Sequence, residues 1–215
     1  MGAASLPSIL DTKMEAQVST IGRDVSSTST VTLQTMGNHF LRTESSAADG
    51  ISVSTMNDKE AWTKPANGPP EFLPRESFGG GITHIPLLSV LSDWSQPGMR
   101  IDYLGLEKLD AFTVHHIRLT PAIEVGAPKE LESPSDIYID QQSLFVLKMI
   151  YLVRSPNDLK QSVMMEVAYQ DYKVVSGIAV PYHVIYTIHG QPVEEYRVSS
   201  FVVNVGIQEN TFSLK

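Results

Sequence analysis

The stretch YQDYKVVSGIAVPYHVIYTIHGQPVEEYRVSSF, Tyr169 to Phe201, most constrains what this chain can fold into. Its Val, Ile and Tyr runs are broken only by Gly-Ile, Val-Pro and His-Gly-Gln-Pro, and such runs between turn residues read as successive strands. In SVMMEVAYQDY, Val163, Met165, Val167 and Tyr169 share one face, and Met164, Glu166, Ala168 and Gln170 share the other. In PYHVIYTIHG, Val184, Tyr186 and Ile188 oppose a face of His183, Ile185, Thr187 and His189. One side of these strands is apolar and the other tolerates water.

From Arg100 onward six such segments, separated by Gly, Pro, Asp, Asn and Ser clusters, imply an antiparallel meander. Upstream, SSTSTVTLQTMGNHFLRTE reads as a hairpin turning at Gly37-Asn38. Asp49-Gly50 and Asn57-Asp58 mark two further turns, the second leading to a strand that ends at Trp62. Leu10, Met14 and Val18, four apart after Pro7, predict a short N-terminal helix. Residues 64–81 hold four prolines and four glycines, which predicts a surface loop without regular structure. A helix is expected over HIPLLSVLSDWSQPG, with Leu87, Leu88, Leu91 and Trp94 as one apolar stripe. That stripe fits an ordinary core as well as a lid over a cavity. Gly79-Gly80-Gly81 and the loop residues Phe72, Leu73 and Phe78 favour the lid.

The expected fold is therefore mainly β in one domain over residues 1–215: a strongly curved antiparallel sheet forming an open, incomplete barrel, with a helix against its concave face. A closed barrel would satisfy most of the same pattern. No repeat of 20 to 50 residues points to a propeller or solenoid.

Composition excludes several functions. A net charge of −8 opposes nucleic-acid binding. No apolar run of about 18 residues spans a bilayer. The N-terminus lacks the basic and apolar regions of a signal peptide, which fits a chain without one or a chain from which one has been removed. Zero cysteines exclude disulfides, thiolate metal sites and cysteine nucleophiles.

No catalytic or metal-binding motif stands out, and no cofactor is expected. His115 and His116 are adjacent on a strand and point to opposite faces, so they do not converge on one ion. His183 and His189 share a face but lie roughly 20 Å apart at about 3.3 Å per residue. His84 reads as a loop or cap residue. No Gly-x-Ser-x-Gly elbow is present, SFGGGIT lacks the Lys-Ser/Thr of a phosphate loop, and the carboxylates of DYLGLEKLD and EVGAPKELES read as solvated charges.

GNHFLRTESSAADGISVS with NDKEAW, DIYIDQQSLFVLKMIYL, and VAYQDYKVVSGIAVPYHVIYTIHGQPVEEYRVSSFVVNVGIQENTF resemble the envelope lipoprotein-carrier superfamily, the LolA/LolB-like proteins, over most of the chain. The resemblance implies an incomplete barrel around a helix, and a periplasmic or secreted, non-enzymatic carrier or sensor of an acyl chain or other lipid. It also implies that YQDYKVVSGIAVPYHV is two neighbouring strands joined at Val175-Ser176-Gly177, with Pro181 at a strand start, where its missing N–H matters least. The cavity residues expected from the apolar faces are Phe78, Leu87, Leu88, Leu91, Trp94, Met165, Val167, Tyr169, Val184 and Tyr186. The family's cavity arginine has no assigned position here. Two other readings stand beside it: an envelope protein-interaction module whose sheet edge recruits a partner strand, and a hydrolase with a triad assembled from distant residues.

Overall fold

The computed structural model describes residues 9–22, 26–37, 40–73, 98–120, 134–155 and 158–214. Among the described residues, thirteen antiparallel strands form one sheet. β1 (Asp11–Ile21), β2 (Ser26–Met36), β3 (Phe40–Ala47), β4 (Gly50–Met56), β5 (Ala61–Lys64) and β6 (Glu71–Leu73) run from the centre to one edge. β7 (Arg100–Leu109), β8 (Phe112–Thr120), β9 (Ser135–Asp140), β10 (Val146–Ser155), β11 (Asp158–Val175), β12 (Ile178–Ile188) and β13 (Gln191–Val203) run from the other edge back to the centre, where β13 pairs with β1. β6 and β7 are the two edges and do not pair, so the curved sheet stays open, as the sequence predicts.

The meander follows from tight turns. Ser176-Gly177 and His189-Gly190 each link paired strands with both residues at positive φ, 49° and 83° in the first and 50° and 75° in the second. That conformation matches the twist of a hairpin. The predicted turns at Gly37, Asp49 and Asn57 likewise connect β2 to β5, and Asn57 Oδ1 accepts from the amides of Lys59 and Glu60.

Four local expectations are corrected. The segment predicted as an N-terminal helix is β1. A spacing of four fits a two-residue period as well as a helical one, and Ala16 completes the buried stripe Met14, Ala16 and Val18 while Leu10 stays exposed. Neighbours on both sides, β2 and β13, pair with its backbone along the strand and give its apolar stripe a sheet face to join, which a short lone helix would not have. The loop predicted over 64–81 contains β6, bracketed in the sequence by Pro70 and Pro74 and tolerated because it is an edge. The strand expected to end at Trp62 continues to Lys64. Pro181 lies inside β12 rather than at its start. The ladder to β13 begins only at His183, so the strand has one neighbour at the proline. Apart from Gly98, the helix expected over 84–98, with Leu87, Leu88, Leu91 and Trp94, lies outside the described residues, as do Phe78 and Gly79–Gly81.

The core occupies one face, running from Ala61 on β5 through Leu41, Leu33, Met14 and Phe201 to Val184, Val167, Met149, Ile137 and Leu119 on β8. We call this the inner face. After β13 the chain is latched back by Asp11, a buried carboxylate that accepts from the amides of Val205, Gly206 and Ile207 at 2.7, 3.1 and 3.3 Å. This leads Phe212 into a buried contact with Phe40.

Candidate functional site

The inner face of β10 to β13 is the candidate site. The register places Val167 opposite Tyr186, Tyr169 opposite Val184, and Met165 opposite Ile188. Five of the ten expected cavity residues are thus brought onto one patch; the other five lie outside the described residues. Val167 and Val184 are 0% exposed, Tyr169 1% and Tyr186 5%, while Met165 packs partly buried against them.

Sequence reasoning missed three neighbours on this patch. Tyr196 sits opposite Val184, its ring 5.6 Å from that of Tyr186, and Glu194 sits opposite Tyr186. Tyr151, on β10 opposite Met165, is also buried. The period-two pattern of PVEEYRV contained the signal, since Glu194, Tyr196 and Val198 alternate with Val193, Glu195 and Arg197, but a glutamate on an apolar face breaks the simple rule.

The chemistry of the patch is apolar with hydroxyl edges. Burial pushes the Tyr169 and Tyr196 phenols far up, so they stay protonated. Tyr169 Oη donates to Met149 Sδ at 3.3 Å, and Tyr196 Oη donates to Glu194 Oε2 at 3.2 Å. Burial raises the Glu194 carboxyl, with the bond from Tyr196 acting in the opposite sense.

The opposite, outer face is charged. Arg118 makes two hydrogen bonds to Asp136, at 2.7 and 2.9 Å, and these, helped by His116, hold that carboxyl below its usual range. His116 stacks on Tyr138 at 4.4 Å, with Nδ1 2.6 Å from Glu107 and Nε2 3.2 Å from Asp136. The carboxylates flank the ring on opposite sides, so they bridge through it and do not converge on an ion. His115 turns the other way and meets Tyr103 Oη at 3.1 Å, as strand alternation predicts. His183 pairs with Glu195. Among the described residues no group of three His, Asp or Glu side chains is placed to hold a metal.

Comparisons with known proteins bear on the fold. No protein-family model and no curated protein matches the chain. Solved structures do. An outer membrane lipoprotein-sorting protein domain from Vibrio parahaemolyticus matches with TM-score 0.61 and 14% identity, over 94% of this chain and 89% of its own. A DUF1329 family protein from Desulfovibrio piger ATCC 29098 matches with TM-score 0.65 and 14% identity, over 98% and 92%. A LolA superfamily protein from Nitrosomonas europaea matches with TM-score 0.63 and 12% identity, over 94% and 90%. The chain thus has the fold of lipoprotein-sorting proteins, as the sequence resemblance implies.

Proposed function

We propose that this protein is a non-enzymatic carrier or sensor that holds an acyl chain or similar apolar ligand against the inner face, in the cell envelope. The observation that supports it is the open sheet's single apolar face, continuous from β5 to β8. Binding there needs no polar recognition, since each methylene withdrawn from water contributes about 0.8 kcal/mol. The patch of Met165, Val167, Tyr169, Val184 and Tyr186 would line the ligand. Phe78, Leu87, Leu88, Leu91 and Trp94 belong to the proposal on sequence grounds alone. Because Val167 and Val184 are fully buried here, a ligand enters only when this face opens. The periplasmic location, and the single domain over residues 1–215, are parts of the same reading. The fold resemblance supports the location, and among the described residues no helix is long and apolar enough to cross a membrane.

Mass spectrometry of an organic extract of freshly purified protein tests this. A stoichiometric lipid, together with binding of a fluorescent fatty acid, is expected. A clean extract with no fatty-acid binding would overturn it.

A second reading, an envelope interaction module, is favoured by one observation: edge strand β7 exposes Ile101, Tyr103, Leu104 and Leu106. A clean extract, with a partner whose binding is abolished in Leu106→Lys, would move the conclusion there.

A further inference from the structure

We propose that the outer face carries a second ligand site, a cleft for a small amphipathic cation, built by the β7–β8 turn and the β9–β10 loop over strands β10 to β12. The cleft has a volume of about 690 Å³, within the range of small-molecule sites. Its floor includes Lys148, Glu166, Ala168 and Thr187, which alternate with the core residues Met149, Val167 and Tyr186 and therefore face away from the inner patch. Tyr169 of the inner patch also borders the cleft, and Tyr172 packs against the inner core, so the two sites adjoin through β11.

Two features define the ligand, and a third shapes the cleft. The first is an apolar wall already in place. Phe145 stacks on Tyr172 with ring centroids 4.5 Å apart, and Tyr172 Oη is fixed by donating to Val146 O at 2.6 Å. Phe112 completes the wall from the β7–β8 turn while remaining 50% exposed. An aromatic half in water and half over a cleft is a binding surface that a ligand could cover.

The second feature is charge. Asp110, Asp140, Glu166 and Asp171 line the cleft against one cation, Lys148, which pairs with Glu166. Asp140 is buried and remains ionised, because Ser143 donates to its carboxylate through both N and Oγ, at 2.8 and 2.7 Å. His183 lies 3.9 Å from Asp171 but is committed through its other nitrogen to Glu195 at 2.7 Å. The surplus is therefore negative, and it borders aromatic rings whose faces also attract cations.

The third feature is backbone strain. Asp110 and Asp171, which line the cleft, have positive φ of 52° and 54°, and Leu144, between the lining residues Ser143 and Phe145, has 60°. An exposed leucine is poorly suited to that region, so the loop conformation is imposed on it. The β11–β12 ladder lapses at Asp171, since Gln170 pairs with His183 and Tyr172 with Pro181 while no pair joins them between. A left-handed residue inside a strand re-aims its side chain, and here it sets the carboxylate in the same cleft as Tyr172. An amine or quaternary ammonium on a short aromatic or aliphatic body matches the first two features, while the third sets the shape of the cleft that receives it.

The test is a backbone-amide NMR titration of the full chain with phenylbutylamine, compared with the neutral phenylbutanol and the anionic phenylbutanoate. The amine is expected to shift resonances of residues 109–112, 140–148 and 170–172, and to bind more tightly than the alcohol and far more tightly than the carboxylate. Phe112→Ser should weaken the amine about tenfold, because the ring no longer shields the ligand's apolar body from water. Asp171→Asn should weaken it about threefold, an effect that fades at high salt. Equal binding of all three probes would overturn the proposal. So would shifts confined to other residues, or indifference to both substitutions. If the inner-face reading alone fails, a lipid-free extract accompanies an unchanged amine titration, so the two failures are distinguishable.

Discussion

The two faces of strands β10 to β12 are built from adjacent residues and differ in almost everything else. The inner face, Met149, Val167, Tyr169, Val184 and Tyr186, is dry and continuous with a core that crosses the sheet. The outer face, Lys148, Glu166, Ala168 and Thr187, is a charged surface interrupted by an aromatic cleft. Stability and one-sided burial reside on the first. On the second, charge pairs are partly hydrated and contribute little singly, leaving those positions available for recognition. A one-residue step along a strand thus separates residues whose substitution threatens the fold from residues whose substitution does not.

The strongest way to break this contrast is Val184→Asp. A carboxylate placed at a fully buried position without a partner should abolish cooperative thermal unfolding, or cost more than about 4 kcal/mol by chemical denaturation. A soluble, cooperatively folding variant would show that the inner face is hydrated in solution. Tyr169→Ala should cost about 3 to 5 kcal/mol, the usual range for deleting a buried aromatic ring. A much smaller loss in denaturant titrations would mean that the ring lines a space and is not packed.

On the outer face, Arg118→Met should cost only about 1 kcal/mol at neutral pH. The Asp136 carboxyl is lowered in the folded state, so its contribution is fully present above its unfolded value. That contribution is lost as pH falls through the lower folded value, in the acid range below about pH 4. Arg118→Met should flatten the acid limb of the stability curve, and an unchanged limb would rule out Asp136 as its source. Glu194, the carboxyl on the inner face, has the opposite sign. Its folded value is raised, so the protonated form is favoured and stability falls as pH rises through that value. Glu194→Gln should therefore unfold at a higher temperature than the parent at neutral pH, with the gap closing in mild acid. Smallest of all, Phe112→Ser should change stability by less than about 0.5 kcal/mol while weakening the cleft's ligand.

Much of the fold was legible because period-two alternation and turn chemistry are local. The run from Tyr169 to Phe201 disclosed β11, β12 and β13 and the apolar-face residues of the first two, and the Gly-containing turns located the hairpins. β1 was not legible, because Leu10, Met14 and Val18 satisfy both periods, and only pairing with β2 and β13 decides between them. β6 escaped because two flanking prolines mask a three-residue strand that an edge position permits.

The candidate site divides in the same way. Val167, Tyr169, Val184 and Tyr186 were assigned to one face by alternation alone, whereas the addition of Glu194, Tyr196 and Tyr151 required the strand register. The outer cleft was invisible to any local pattern, since Phe112, Phe145, Asp171 and Lys148 come from separate parts of the meander. The left-handed backbone at Asp171 has no signature in the sequence around it either. Sequence by itself determined that this chain is an antiparallel meander with one apolar face, because a residue's side of a strand depends on its parity. Tertiary structure alone decided which strands are neighbours, that the sheet stays open between β6 and β7, and where side chains distant in sequence enclose a cleft. Those outcomes depend on register, twist and bulges, which are set by pairing across the whole sheet.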